Sequence, residues 1–130
     1  MSVEDEVQTM LAEFGRALNE HDAVAIGHFW LEEGSFVDLW GRFVFGRDRV
    51  EDLFAREFHE QLSDSHFRAL RLEVRPLSET TVVAECDAVW EKVRAPNGRS
   101  YDLPHRIDAV LVRRDGGWRF MSAHPSFRRA

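Results

Sequence analysis

An α+β fold, with helices first and a meander of long antiparallel strands after, is what this sequence predicts. Two observations carry that reading. In the first half, apolar residues recur at the i, i+3, i+4, i+7 spacing that lines one side of a helix. In the second half, long runs are separated by Pro96-Asn97-Gly98 and Asp115-Gly116-Gly117, the chemistry of tight hairpins. The helices must then cover one face of the sheet, where their apolar stripes can be buried.

The elements follow in order. Residues 2–20 predict a helix whose stripe is Val7, Met10, Leu11, Phe14, Ala17 and Leu18, opened by Ser2 with Asp5 in a capping box. A short second helix is expected from about Asp22, carrying Ala23, Ile26, Phe29 and Trp30. Ser35 to Leu39 predicts a strand, Gly41 a turn, and Arg42 to Phe45 a short return strand. Asp48 is expected to cap a third helix with the stripe Val50, Leu53, Phe54, Phe58 and Leu62. Four strands are then expected, His66 to Pro76, Thr80 to Arg94, Ser100 to Arg114 and Trp118 to Pro125. With no linker, repeat or low-complexity stretch, residues 1–130 are expected to form one domain.

Three-residue loops in the last three hairpins would pair Val74 with Val82, Cys86 with Asp108, and Asp108 with His124. Even-numbered residues would then share the face toward the helices. Val82, Ala84, Cys86, Ala88 and Trp90 fit that face, as do Leu70, Leu72, Val74, Val110, Val112 and Phe120. One end of the same face would gather His66, Arg68, Arg106, Asp108, Ser122 and His124. Six polar groups on a covered face imply an opening, since burying them unpaired is costly. An apolar pocket with converging polar groups is the expected ligand site. Ile107 and Leu111 would fall on the outer face, which predicts that a second copy of the chain covers it.

Composition narrows the function classes. Hydrophobic residues make up 44% and charged residues 31%, as in a soluble globular protein. Acidic residues outnumber basic ones 23 to 17, for a net charge of −6. That balance argues against a partner bound through phosphates, so no nucleic acid is expected. No apolar run approaches the ~20 residues of a membrane span, and the acidic start lacks a signal peptide's features. The single cysteine, Cys86, fits a cytoplasmic setting. Six histidines invite a test for metal, but none are spaced as paired ligands on one element, and no metal or other cofactor is expected. There is no phosphate-binding Gly-rich loop, no GxSxG and no CxxC.

Three segments together are similar to one family. They are Ala17-Leu18-Asn19-Glu20-His21-Asp22, then Ser35-Phe36-Val37-Asp38-Leu39-Trp40-Gly41 with Gly46-Arg47, and Asp115-Gly116-Gly117-Trp118-Arg119-Phe120 with His124. In order and spacing they resemble the SnoaL-like and ketosteroid-isomerase-like proteins of the nuclear transport factor 2-like superfamily. The resemblance implies a cone, a cystatin-like roll in which a strongly curved, mostly antiparallel sheet wraps around three N-terminal helices and encloses a pocket. It also implies a homodimer. For the isomerases of the family it implies a general base at Asp38 and an oxyanion-binding acid at Asp108. The family's helix-borne tyrosine is replaced here by Phe14, which has no hydroxyl.

These readings give one site with two mechanisms. Either Asp38 abstracts a proton while Asp108 donates to the enolate, or Asp108 orients His124, which moves the proton. Phe14, Trp40, Phe54, Phe58 and Trp90 are expected to line the pocket, with His66, Arg68, Arg106 and Ser122 as its polar contacts. The expected ligand is a small, largely apolar molecule. The expected activity is an isomerase, cyclase or dehydratase type of proton transfer next to a carbonyl, without a cofactor. The competing reading is a binding or dimerisation module, favoured if Trp40, Trp90 and Phe67 fill the pocket. A cavity of ~300 Å³ or more would favour the enzyme.

Overall fold

A computed structural model describes residues 1–128. The helices are α1 (Val3–Asn19), α2 (Ala23–Gly27) and α3 (Arg47–His59). The strands are β1 (Trp30–Val37), β2 (Phe43–Phe45), β3 (His66–Pro76), β4 (Thr81–Arg94), β5 (Ser100–Arg114) and β6 (Gly117–Phe127). They form one six-stranded sheet in the order β2-β1-β6-β5-β4-β3. All neighbours are antiparallel except β1 and β6, which run parallel.

Local chemistry sets the helix ends. Ser2 and Asp5 form the expected capping box, and Asp22 accepts from the Ala25 N–H at 3.1 Å. The expected Asp48 cap is not made: α3 starts after Gly46 with no side-chain cap, and Asp48 sits in its first turn. The second helix stops at Gly27, so Trp30 opens β1. Trp30 is wholly buried at the centre of the core, against Phe14, Phe36, Phe54 and Phe120. Its indole N–H reaches the Ser35 carbonyl at 2.9 Å across an irregularity in β1. Gly34 is required there, because a Cβ would lie 2.8 Å from the Phe120 carbonyl oxygen, a backbone atom that cannot yield.

The expected cone is not what the chain builds. The sheet is open, not closed or strongly curled: β2 and β3 are its two edges and do not pair with each other. The reason lies in lengths and layers. β2 has only three residues, too short to close a ring of long strands. The helices form a layer over one face, with α1 against β3 and α3 against β1. Two side-chain bridges fasten α1 and the turn after it to the β3 end: Asn19 exchanges hydrogen bonds with the Phe67 backbone, and His21 bonds the Ser65 carbonyl at 2.9 Å.

The expected register holds on β4 and fails beyond it. Val82, Ala84, Ala88 and Trp90 are buried on the helix side as expected. The β4–β5 hairpin also starts as expected, with Arg94 opposite Ser100. Between Val93 and Trp90, however, β4 carries one extra residue, and Lys92 there takes a left-handed φ of 59°. This bulge slips the pairing by one, so Cys86 faces Ile107 and not Asp108. Odd-numbered residues of β5 now face the helices, and Leu103, His105, Ala109 and Leu111 are buried there. A second bulge, at Leu70, turns Phe67 inward and leaves His66 and Arg68 exposed. Val74 pairs with Ala84.

The last hairpin is tighter than expected. Asp115 and Gly116, both at positive φ, make a two-residue turn between Arg114 and Gly117. A third bulge then restores the Asp108–His124 pairing, but on the outer face. The slip turns Ile107 and Leu111 inward and, in exchange, turns Val110 and Val112, expected inside, to the outer face opposite Val83 and Thr81. That face also carries ion pairs, among them Arg106 with Glu85 and Asp108, and Arg71 with Glu73.

Candidate functional site

Between the helix layer and the sheet lies an apolar hollow in two compartments. The larger, about 240 Å³, is bounded by Leu11 and Phe14 of α1 and by Leu72, Ala84, Cys86 and Ala109 of the sheet. The small side chains of β4 make this room. Cys86 is held inert, since burial and then the neighbouring Asp87 push its thiol up to about 11. The smaller compartment, about 40 Å³, is lined by Trp40, Phe54, Trp90 and Phe36 together with Asp38, Glu57 and His105. Phe14, Phe67, Ile107 and Phe120 border both, so the two compartments adjoin across these side chains. Trp40 also borders a surface depression beside Tyr101 and Arg94, which makes its indole the partition between hollow and solvent.

The polar groups of the small compartment begin with Asp38, at the end of β1. It is 3% exposed. Its Oδ1 accepts from the backbone N–H groups of Trp40 at 3.0 Å and Arg42 at 2.7 Å, which closes the β1–β2 turn. Its Oδ2 accepts from Arg42 Nε at 2.8 Å. Arg42 Nη2 also donates to Glu57 Oε2 at 3.1 Å. Glu57 comes from the buried side of α3, one turn after Phe54, and is 2% exposed.

Three ionisable groups here share one proton economy. Burial raises Glu57 to about 9, with Asp38 beside it adding to the effect against Arg42. Burial pushes Asp38 upward as well, but hydrogen bonds from Glu57 and from the Arg42 backbone and guanidinium outweigh it and hold the carboxyl below its usual range. One carboxylate therefore balances one guanidinium, and the second carboxyl stays neutral at pH 7 with a proton to give.

His105, on β5, is fully buried. Its Nδ1 lies 3.0 Å from the Leu103 carbonyl oxygen. A carbonyl only accepts, so Nδ1 carries the hydrogen and Nε2 the lone pair. Nε2 has no partner. Burial lowers the ring's pKa against that backbone hydrogen bond, which keeps it neutral.

The structure divides the expected site residues in two. Asp38, Phe14, Trp40, Phe54 and Trp90 border the hollow. Phe58 is buried beside it, its ring stacked 4.5 Å from His21. The others lie elsewhere. Asp108 and His124 face each other across the ladder on the outer face, and the Asp108 side chain is 54% exposed, paired with Arg106 at 3.2 Å. Arg106 and Arg68 are exposed, Arg68 lying 3.5 Å from Glu91. His66 is exposed at the start of β3, and Ser122 is outside the hollow's lining. The bulges are the reason. Three residues absent from the sequence-based site, Glu57, Arg42 and His105, supply its polarity. Glu57 had a signal, a carboxylate one helical turn from Phe54 on an apolar stripe.

A family model described as a SnoaL-like domain matches residues 7–129. The chain belongs to the SnoaL-like family. No curated protein matches it. Among solved structures, a Caulobacter vibrioides protein with a cystatin-like fold is similar at 20% identity, covering 97% of this chain and 89% of that one, with a TM-score of 0.88. A hexachlorocyclohexane dehydrochlorinase is similar at 13% identity over 97% and 85% of the two chains, with a TM-score of 0.85. Aln2 from a Streptomyces species is similar at 16% identity over 95% and 89%, with a TM-score of 0.81. Likeness at this level is a likeness of fold, and the chemistry must be argued from the site. Among the described residues no helix is long and apolar enough to cross a membrane, and no cluster of His, Cys, Asp and Glu has the makings of a metal site.

Proposed function

We propose that this SnoaL-like protein binds a small, largely apolar molecule in the hollow and moves a proton next to its carbonyl group, as an isomerase, cyclase or dehydratase does. The observation that carries this is the pairing of two buried carboxyl groups, Asp38 and Glu57, bridged by Arg42 at the polar end of an otherwise apolar hollow. Glu57 takes the part that sequence alone gives to Asp108. When its hydroxyl turns from Asp38 to the ligand's carbonyl oxygen, it stabilises the enolate, and the lone pair freed on Asp38 accepts the proton from carbon. Asp38 then returns that proton to another carbon, and Arg42 holds the pair in place. The side chains supply this chemistry themselves. A cytoplasmic setting suits the single cysteine.

A second reading, a binding module without turnover, is favoured by one observation. Trp40, Trp90 and Phe67 crowd the polar compartment to about 40 Å³, so an enzyme here must swing the Trp40 indole aside. Cyclohex-3-enone separates the two. Quenching of tryptophan fluorescence reports binding, and ultraviolet absorbance reports conversion to the conjugated enone. The enzyme reading expects turnover that falls at least ~10-fold in Asp38→Asn and Glu57→Gln. Binding without turnover leaves the module reading, and turnover unchanged in both variants overturns the proton-pair assignment.

A further inference from the structure

We propose that the ligand of this hollow is a hydroxylated ring compound whose O–H donates to His105 Nε2. The inference rests on the hollow being a ligand site and adds the ligand's class. A buried acceptor left unpaired carries the full penalty of its lost hydration. His105 is wholly buried, its Nδ1–H is spent on the Leu103 carbonyl, and Nε2 is left with a lone pair and, among the described residues, no partner. An acceptor of this kind calls for a donor, and a carbonyl oxygen or an ether cannot serve it.

The volumes say how the donor arrives. The compartment that His105 lines is about 40 Å³. A water's share of liquid is ~30 Å³, so this space holds a polar head of one or two heavy atoms and not a ring. The adjoining compartment is about 240 Å³ and almost wholly apolar in its lining. The two meet at Phe14, Phe67, Ile107 and Phe120. A ring therefore sits in the larger space and its hydroxyl passes Phe67 into the smaller. The rings of Phe67 and Trp90 meet edge to face at 5.2 Å, and Phe67 is tilted 50° to the imidazole, so an angled aromatic corner stands beside His105. The same arrangement gives discrimination, because a site that has committed a buried acceptor to a hydroxyl rejects the analogue lacking one.

Phenol and anisole, its methyl ether, test this, being alike in ring and oxygen but not in the O–H. Calorimetry on the intact chain should show phenol binding ~3- to 10-fold tighter than anisole. In His105→Phe the preference should vanish, with anisole's affinity kept. In uniformly ¹⁵N-labelled wild type, phenol and not anisole should shift the His105 Nε2 resonance. That readout stands even where His105→Phe does not fold. Equal affinity for the two probes, a preference surviving in His105→Phe, or a still Nε2 signal at phenol saturation overturns the proposal and leaves the hollow as a ligand site. Failure of both probes to bind removes both readings together.

Discussion

Glu57 and Asp38 are two acids a hydrogen bond apart, and only one can be charged. This makes the fold itself sensitive to pH. Between the ordinary glutamate value of 4.5 and about 9, the folded chain keeps a proton on Glu57 that the unfolded chain has released. Folding takes up that proton, so stability falls as pH rises through this window and levels off above it. Asp38 has the opposite sign: its lowered pKa gives stability that is lost only as pH falls below the usual carboxylate range. Urea midpoints from pH 7, above the range where His105 titrates, up to about pH 9 should decline in wild type and stay flat in Glu57→Gln, and an unchanged slope in that variant would place the proton elsewhere. Arg42 is the third partner. Arg42→Met leaves Asp38 without its cation and should cost about 3 kcal/mol, the low end for a broken buried pair because the guanidinium is 33% exposed. Urea unfolding reads that loss.

At the scale of the element, the extra residue in β4 decides the site. Lys92 holds φ at 59°, and its N–H is taken by Asp102 Oδ1 at 3.2 Å. Lys92→Gly should be tolerated, whereas Lys92→Ile, β-branched in a left-handed conformation, should cost ~1–2 kcal/mol in thermal unfolding. Comparable melting of the two variants would mean the bulge relaxes without cost. This position also shows what the sequence could and could not tell. The α1 stripe, the buried face of β4 and the placement of Phe14, Trp40, Phe54 and Trp90 were legible, because spacing and alternation report them directly. Asp38 came from the family resemblance, which implies a base just before a turn glycine. The sides of β5 and β6 were not legible. Alternation carries parity along a strand but not across an inserted residue, and Lys92 has neither the glycine nor the asparagine that marks a bulge. Parity alone therefore puts His105 outside, and Asp108 and His124 inside, because alternation breaks at each inserted residue of β3, β4 and β6.

For the molecule as a whole, the two faces of the sheet have different tasks. The helix side holds the hollow, and the outer side is a lattice of arginine–carboxylate pairs in water. Exposed pairs of this kind contribute little each and weaken with salt. Asp108→Asn and His124→Ala should both stay within ~0.5 kcal/mol of wild type in stability and bind phenol unchanged. A loss of phenol binding in either would connect the outer face to the hollow. The open edges have their own protection. β3, an edge eleven residues long, is broken by the bulge at Leu70, carries Arg71, Glu73 and Arg75, and ends in Pro76, all of which discourage pairing with another chain. β2 is guarded only by its length, with Phe43 63% and Phe45 62% exposed.

The bulge at Lys92 has a consequence for descent as well as for folding. Strike out that one residue, and the interior receives Arg106 and Asp108 where it now has an imidazole. A cousin of this chain could thus trade a base for an acid with every codon of the strand unaltered, by losing three nucleotides in the strand next door.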